Sequence, residues 1–413
     1  MDRNASGLPV VLGCCVAIFW SGALTFGFPG VMAPAWQEMF HVGRAATGLV
    51  IFFMLAAVGA FMFLAGRWQE QYGPRKMIFL GIAFTAFSSV VAAYASSIYM
   101  VYAWAFLNGL ASSFVYVPAL TVVQWWYPQK KGLVAGTVSM VFGLSAAVMS
   151  PLFGKMLIVL GYLSMNLVIA FLTLVFGFAG AYFACAPRAE ARDSTRDRNL
   201  ERETAGTKRL EDLLKRSLTP GESLHTRSFW FLWITWTLAG AAGVSMSILA
   251  TSYGLFRGFG LESAILLLTA FNLTNGSGRI ISGILSDRFG RNRIMSAAFL
   301  VAGLAYFALP FAKSLATCAF LAAVVGFAFG TLFSVSAPLV ADCFGLRHFG
   351  AIFGLTFAAY GFVAGPLGPT LSGYLLDRTG DNFFLVFAYL GAFFLLASAC
   401  ILMVVPPQCR PDN

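Results

Sequence analysis

An arginine in the run NGSGR, Asn275 to Arg279, lies inside an apolar stretch that extends over 263–285. Asp287 follows eight residues later, so at about 1.5 Å per helical residue the Arg279 Cα is expected about 12 Å in from the charged end of that segment. A guanidinium at such depth costs at least about 2.5–3.5 kcal/mol on membrane-insertion scales and is expected to face a cavity or a partner. No Asp or Glu lies deep in any apolar segment of the chain, which leaves a bound anion as the expected counter-ion. A planar guanidinium donates two parallel hydrogen bonds to a carboxylate. Asn275, at i−4 on the same helix face, is positioned to add a third.

One fixed positive charge is expected in this cavity, not two. No Lys or Arg occurs between His348 and Arg378, and Met62 stands where an internal repeat would place a second arginine. A dicarboxylate would leave one charge unpaired, so a monocarboxylate is favoured over oxalate. The three histidines, His41, His225 and His348, fall at loops or segment ends. The expected proton carrier is therefore the substrate carboxylate itself, bound with its proton in a poorly solvated site. Asp342 and Asp377, at segment ends, are the alternatives.

Covalent chemistry has no foothold in the sequence. There is no Walker loop, dinucleotide fingerprint, Ser-His-Asp set or metal-ligand spacing. The seven cysteines, Cys14, Cys15, Cys185, Cys318, Cys343, Cys400 and Cys409, form no C-x-x-C and read as buried small hydrophobes. No enzyme activity, cofactor or metal is expected. Asn4, Asn272 and Asn275 satisfy N-x-[ST], but one falls in a tail on the cytoplasmic side and two in a membrane segment, so glycosylation is not expected.

The elements that hold these residues must lie in a bilayer. Of 413 residues, 59% are hydrophobic and 11% charged, against about 45–50% and about 25% in soluble domains. Breaks at charges and turns give apolar segments near 10–33, 47–66, 77–97, 99–126, 133–154, 163–186, 229–253, 263–285, 294–311, 314–341, 349–372 and 383–405. This predicts an all-α membrane protein of twelve transmembrane helices in two six-helix halves, 1–186 and 229–413. The segment 187–228, with ten Lys or Arg and eight Asp or Glu, is expected to be a linker outside the lipid. With both termini cytoplasmic, 21 basic residues fall on that side and five on the other, Arg44, Lys155, Arg257, Lys313 and Arg378. That asymmetry accounts for the net charge of +10 without a nucleic-acid partner. The expected location is the inner, or cell, membrane, as a multi-pass monomer.

The halves repeat at an offset of 217–218 residues. GRWQEQYG, Gly66 to Gly73, matches GILSDRFG, Gly283 to Gly290, and Gly136, Gly143 and Pro151 match Gly354, Gly361 and Pro369. Parallel halves of this kind enclose a central cavity and suit alternating access.

GILSDRFGRNR and GRWQEQYGPRK resemble the loop signature of the major facilitator superfamily. WWYPQKKGLVAG, Trp125 to Gly136, and LHTRSFWFLW, Leu224 to Trp233, resemble the monocarboxylate transporter and oxalate:formate antiporter group, closest to its bacterial lactate- and pyruvate-carrying members. The resemblance implies a major facilitator fold and a proton-coupled symporter of L-lactate and pyruvate, with an anion exchanger of the oxalate:formate type as alternative. A non-transporting membrane receptor is the reading from another class. By the same resemblance Tyr116 and its repeat mate Phe333 close the site, with Leu144, Phe329, Phe357 and Tyr360 as neighbours. Two departures stand out. The family's acid one turn before the arginine is here Asn275, and Trp20 to Phe28 of the first segment carries no charge.

Overall fold

The computed structural model describes residues 7–127, 131–185, 218–345 and 349–405. Most of the expected linker lies outside these residues, as do Arg3, Asn4, Lys130, Arg347, His348, Cys409 and Arg410. Every regular element among the described residues is helical.

The first helix, α1 (Leu8–Phe40), runs beyond the expected 10–33 and carries one wide π turn, Ala23–Gly27. Next come α2 (Arg44–Tyr72), α3 (Pro74–Ala93) and α4 (Ile98–Trp126). The fifth and sixth helices are joined inside Lys131–Phe183, where Gly161, at φ 72 and ψ 172, is the one non-helical residue. Contacts with α1 show that the chain doubles back there: Gly13 packs on Gly180, Gly22 on Phe142 and Gly27 on Ser150. We therefore count 131–160 as α5 and 162–183 as α6. After a short capped helix, Pro220–Leu224, follow α7 (Arg227–Phe256), α8 (Leu261–Phe289), α9 (Arg291–Ala308) and α10 (Leu315–Phe344). The eleventh helix, α11, covers 349–379 and is widened by π turns at Ala359–Ala364 and Pro366–Thr370; α12 is Phe383–Leu402.

Ten of the described helical runs are long and apolar enough to cross a membrane, and the double run through Gly161 is one of them. The twelfth crossing is α8, which falls short of that apolarity. Its polar residues recur at i, i+3, i+7, i+10 and i+14, giving one buried stripe of Asn272, Asn275, Arg279, Ser282 and Ser286. A helix with such a stripe is stable in a membrane only when the stripe is turned onto protein.

The halves α1–α6 and α7–α12 meet through α2 against α11, α5 against α8, and α1 against α7. The repeated loop signatures end at Gly73 (φ 84) and Gly290 (φ 92), a backbone region that glycine enters without a Cβ clash. At this motif face Arg291 binds Asp342 and also reaches Asp287 at 3.4 Å, tying α8, α9 and α10 together. At the opposite face Arg44 pairs with Asp381, while the Arg44 and Ala45 amides donate to Asp377 at 2.9 and 3.0 Å. This joins the start of α2 to the end of α11, one half to the other. Asp342 and Asp377 are thus both engaged at helix ends.

The α5–α8 crossing is the one that sets the site. A Cβ on Gly276 would lie 2.5 Å from Leu144 Cγ and 2.6 Å from Leu144 N, and one on Gly143 would lie 2.8 Å from the Gly276 Cα. Glycine on both helices lets the two backbones touch one turn from Arg279. Gly276→Val should therefore lower the thermal unfolding midpoint of the detergent-purified protein, by about 1–3 kcal/mol for an overpacked interface. Gly283→Ala, where nothing lies within 4 Å, should leave it unchanged.

Candidate functional site

Because α5 and α8 touch at Gly143 and Gly276, the Arg279 side chain spans from one half of the molecule to the other. Its Nη1 donates to the Ser139 carbonyl at 3.2 Å and to Ser139 Oγ at 2.8 Å, both on α5. Nη2 donates to Asn275 Oδ1 at a long 3.5 Å. The guanidinium carbon sits 4.9 Å from the Phe333 ring centre and 5.9 Å from that of Phe142, within the range of cation–π attraction. Arg279 is only 4% exposed, and among the described residues no Asp or Glu forms an ion pair with it.

Two donors of this cluster have no acceptor among the described residues: Arg279 Nε and Asn275 Nδ2. A buried donor left without a partner costs about 1–3 kcal/mol, and more beside a charge. The site is therefore a partly neutralised cation with free N–H groups, walled by rings. Such an arrangement suits a small anion with a short apolar tail.

The structure brings the other expected residues together in unequal ways. Phe333 lies against the guanidinium. Tyr116 shares a 3.1 Å hydrogen bond with Ser139 Oγ and packs on Phe142 at 5.0 Å, so it steadies the group that holds Arg279. Leu144 fills the α5–α8 crossing against Gly276. Phe357 and Tyr360 adjoin Phe333 at ring separations of 6.1 and 5.4 Å. Phe329 packs on Phe333 at 5.1 Å from behind, against Gly243.

Four residues of the cluster escape the sequence reading. Ser139 is the main protein partner of Arg279, Phe142 is its second ring, and Trp236 on α7 packs at 4.9–5.9 Å on Phe333, Phe357 and Tyr360. Phe26, on the π turn of α1, touches Phe142, Phe329 and Phe333, giving the uncharged first helix a place in the wall. The repeat offset of 218 was the available signal, since it pairs Phe142 with Tyr360 and Ser139 with Phe357.

Access differs at the two faces. Toward the Arg44 face the halves are shut: an added Cβ would meet the Ser247 carbonyl at 2.0 Å from Gly30, and Pro369 O at 2.5 Å from Gly48. Toward the motif face, Gly136 on α5 and Gly354 on α11 have nothing within 4 Å among the described residues, which here leave out 128–130 and 346–348.

The Major Facilitator Superfamily model matches residues 14–268 and 258–413. The oxalate:formate antiporter of Oxalobacter formigenes is 25% identical over 84% of this chain and 79% of its own. Monocarboxylate transporter 2 of Homo sapiens is 22% identical over 94% of this chain and 84% of its own. Among solved structures, a D-xylose-proton symporter superposes with a TM-score of 0.74 at 14% identity, covering 97% of this chain and 98% of that one. A bacterial homologue of the lysosomal transporter Spinster, inward-facing and occupied, gives 0.72 at 14% identity over 97% and 96%. At such identity the two structures establish the fold alone.

A cation held for a ligand is a cost to the unliganded protein. Arg279→Met should raise the unfolding midpoint of the purified protein, by an amount corresponding to about 1–3 kcal/mol, because an apolar side chain of similar length ends the burial of an unpaired charge. Differential scanning fluorimetry without substrate checks this, and a fall in the midpoint would mean that the arginine is structural.

Proposed function

The chain belongs to the Major Facilitator Superfamily, and we propose that within it the protein is a proton-coupled carrier of small monocarboxylates such as L-lactate and pyruvate. The family and the structural neighbours are transporters, not enzymes. The observation that carries the reading is Arg279, buried between the halves with no carboxylate partner among the described residues.

In this account Arg279 Nε and Nη2 take the two carboxylate oxygens and Asn275 Nδ2 donates to one of them. The rings of Phe333, Phe357 and Tyr360 accept the short carbon tail. The bond that Arg279 gives up is the long one from Nη2 to Asn275 Oδ1, and the anion replaces it with hydrogen bonds between two ionised groups while Nη1 stays on Ser139. The tight Arg44 face fits an inward-facing state, with the motif face cytoplasmic. The cell membrane is the location we assign.

Proton coupling follows from the same inventory. Asp342 and Asp377 are committed to Arg291 and to the α2 amides, at opposite ends of the molecule. The carrier that remains is the substrate carboxylate, which meets Arg279 as the anion and takes up its proton as the guanidinium lets go, the two leaving together when the site opens to water. An exchanger of the oxalate:formate kind is the second reading, favoured by the 25% identical relative. Against it stands α11, which has no Lys or Arg before Arg378 to receive a second carboxylate.

Radiolabelled L-lactate uptake into proteoliposomes under an inward proton gradient tests the proposal. Arg279→Gln should lower kcat/KM by about 100-fold or more, the loss of two charge-assisted hydrogen bonds at about 1.5–3 kcal/mol each. Arg279→Lys should keep the charge, lose the fork and fall by about tenfold or more. Uptake unchanged by Gln would refute the assignment. Uptake that needs internal oxalate or formate and ignores the proton gradient would establish the exchanger instead.

A further inference from the structure

The ring cluster beside Arg279 holds two more buried donors that the carboxylate leaves unused. Trp236 is fully buried on α7, and its Nε1–H has no hydrogen-bond partner among the described residues. Tyr360, 2% exposed on α11, has an unpartnered hydroxyl as well. Their rings lie 5.9 Å apart, and both pack on Phe333, at 5.3 and 5.4 Å. The opposite neighbour of Phe333 is the Arg279 guanidinium, at 4.9 Å. Three elements, α7, α8 and α11, thus bring donor-bearing side chains to one phenylalanine.

Unpartnered indole nitrogens have a bland explanation, and Trp104 illustrates it. Its Nε1 is also unpartnered, but its neighbours Phe28 and Trp36 form an apolar core with no charge in reach. At Trp236 the setting differs in two ways. A second orphan donor and a cation share the same ring, and Tyr360 is carried by the π turn Ala359–Ala364 of α11. A π turn inserts a residue and re-aims the side chains around it, and such turns concentrate at functional sites.

The free groups are donors: Arg279 Nε, Asn275 Nδ2, Trp236 Nε1 and the Tyr360 hydroxyl, while Asn275 Oδ1 is already occupied by Arg279. A plain carboxylate supplies two acceptor oxygens and an inert tail. A tail without oxygen would leave Trp236 and Tyr360 as orphaned as they are now. An oxygen on the carbon next to the carboxylate supplies the missing acceptor.

We propose that Trp236 and Tyr360 form a second polar subsite that reads an oxygen on C2 of the substrate, so that the carrier selects 2-hydroxy and 2-oxo monocarboxylates over unsubstituted short-chain acids. Arg279 and Asn275 take the carboxylate, and the subsite rests on that reading of them. A site built to satisfy a substrate oxygen rejects an analogue lacking it more strongly than an apolar pocket rejects a missing methylene, because its own donors stay buried and unpaired.

The test is competition against labelled L-lactate uptake in proteoliposomes of the full chain, with pyruvate and propionate as competitors. The wild type should be inhibited by pyruvate at a concentration about 10-fold or more below that needed for propionate. Trp236→Phe and Tyr360→Phe, which keep an aromatic ring, should each shrink that ratio by about 3- to 10-fold, by weakening pyruvate more than propionate. A ratio unchanged in both variants, or equal weakening of pyruvate and propionate, overturns the subsite and assigns the two groups to packing. Should one variant fail to fold, the other decides by the same ratio. Arg279→Gln run alongside separates the two claims: if it leaves uptake intact, the carboxylate reading itself fails, whatever the ratio does.

Discussion

A guanidinium buried between two six-helix halves, without a protein carboxylate among the described residues to neutralise it, is the constraint around which the rest of the molecule is arranged. Burying an unpaired charge is unfavourable by several kcal/mol, and the structure meets that cost only in part. Ser139 and Asn275 supply oxygens, and Phe142 and Phe333 supply ring faces. None of these carries a full negative charge. The residual deficit is what an organic anion would fill, and its size ties ligand binding to the energy of the interface.

The helix packing follows from that need. Arg279 reaches Ser139 because Gly143 and Gly276 let α5 and α8 touch along their backbones. The polar stripe of α8 tolerates a membrane because it faces α5 and α10, with Ser282 bonded to Ser334 and Asn275 lying against Gly330. At the two faces, charges tie helix ends: Arg291 binds acids within one half, while Arg44, Asp377 and Asp381 bridge the two. A contact within a half persists when the halves rock. A contact between halves must break, and this places the Arg44 cluster among the parts that move in an alternating-access cycle.

Much of this is legible in the amino-acid sequence. Eleven of the twelve crossings follow from charge-free runs, the halves from matched glycine-bounded loops, and the burial of Arg279 from its place inside the remaining apolar segment. Boundaries were harder: Lys155, which ends the fifth apolar segment at 154 in the sequence, lies within α5, which runs on to the turn at Gly161, and α1 continues past Pro34 to Phe40. The partner of Arg279 was hidden for a different reason. Serines are common in membrane helices, and nothing in the types of neighbouring residues distinguishes Ser139 from Ser145 or Ser150, which only bond their own helix. Nothing in the sequence sets Trp236 and Phe26 apart from other aromatics, and their convergence on Phe333 is visible only in three dimensions.

The central claim is that the site recognises negative charge on the ligand through Arg279. Calorimetric titration of L-lactate and of the neutral, nearly isosteric lactamide into the purified protein tests it most directly. The account predicts that lactate binds, that lactamide binds at least about 100-fold more weakly, the worth of about 2.7 kcal/mol, and that Arg279→Met removes the difference. Equal binding of the acid and the amide to the native protein would contradict it.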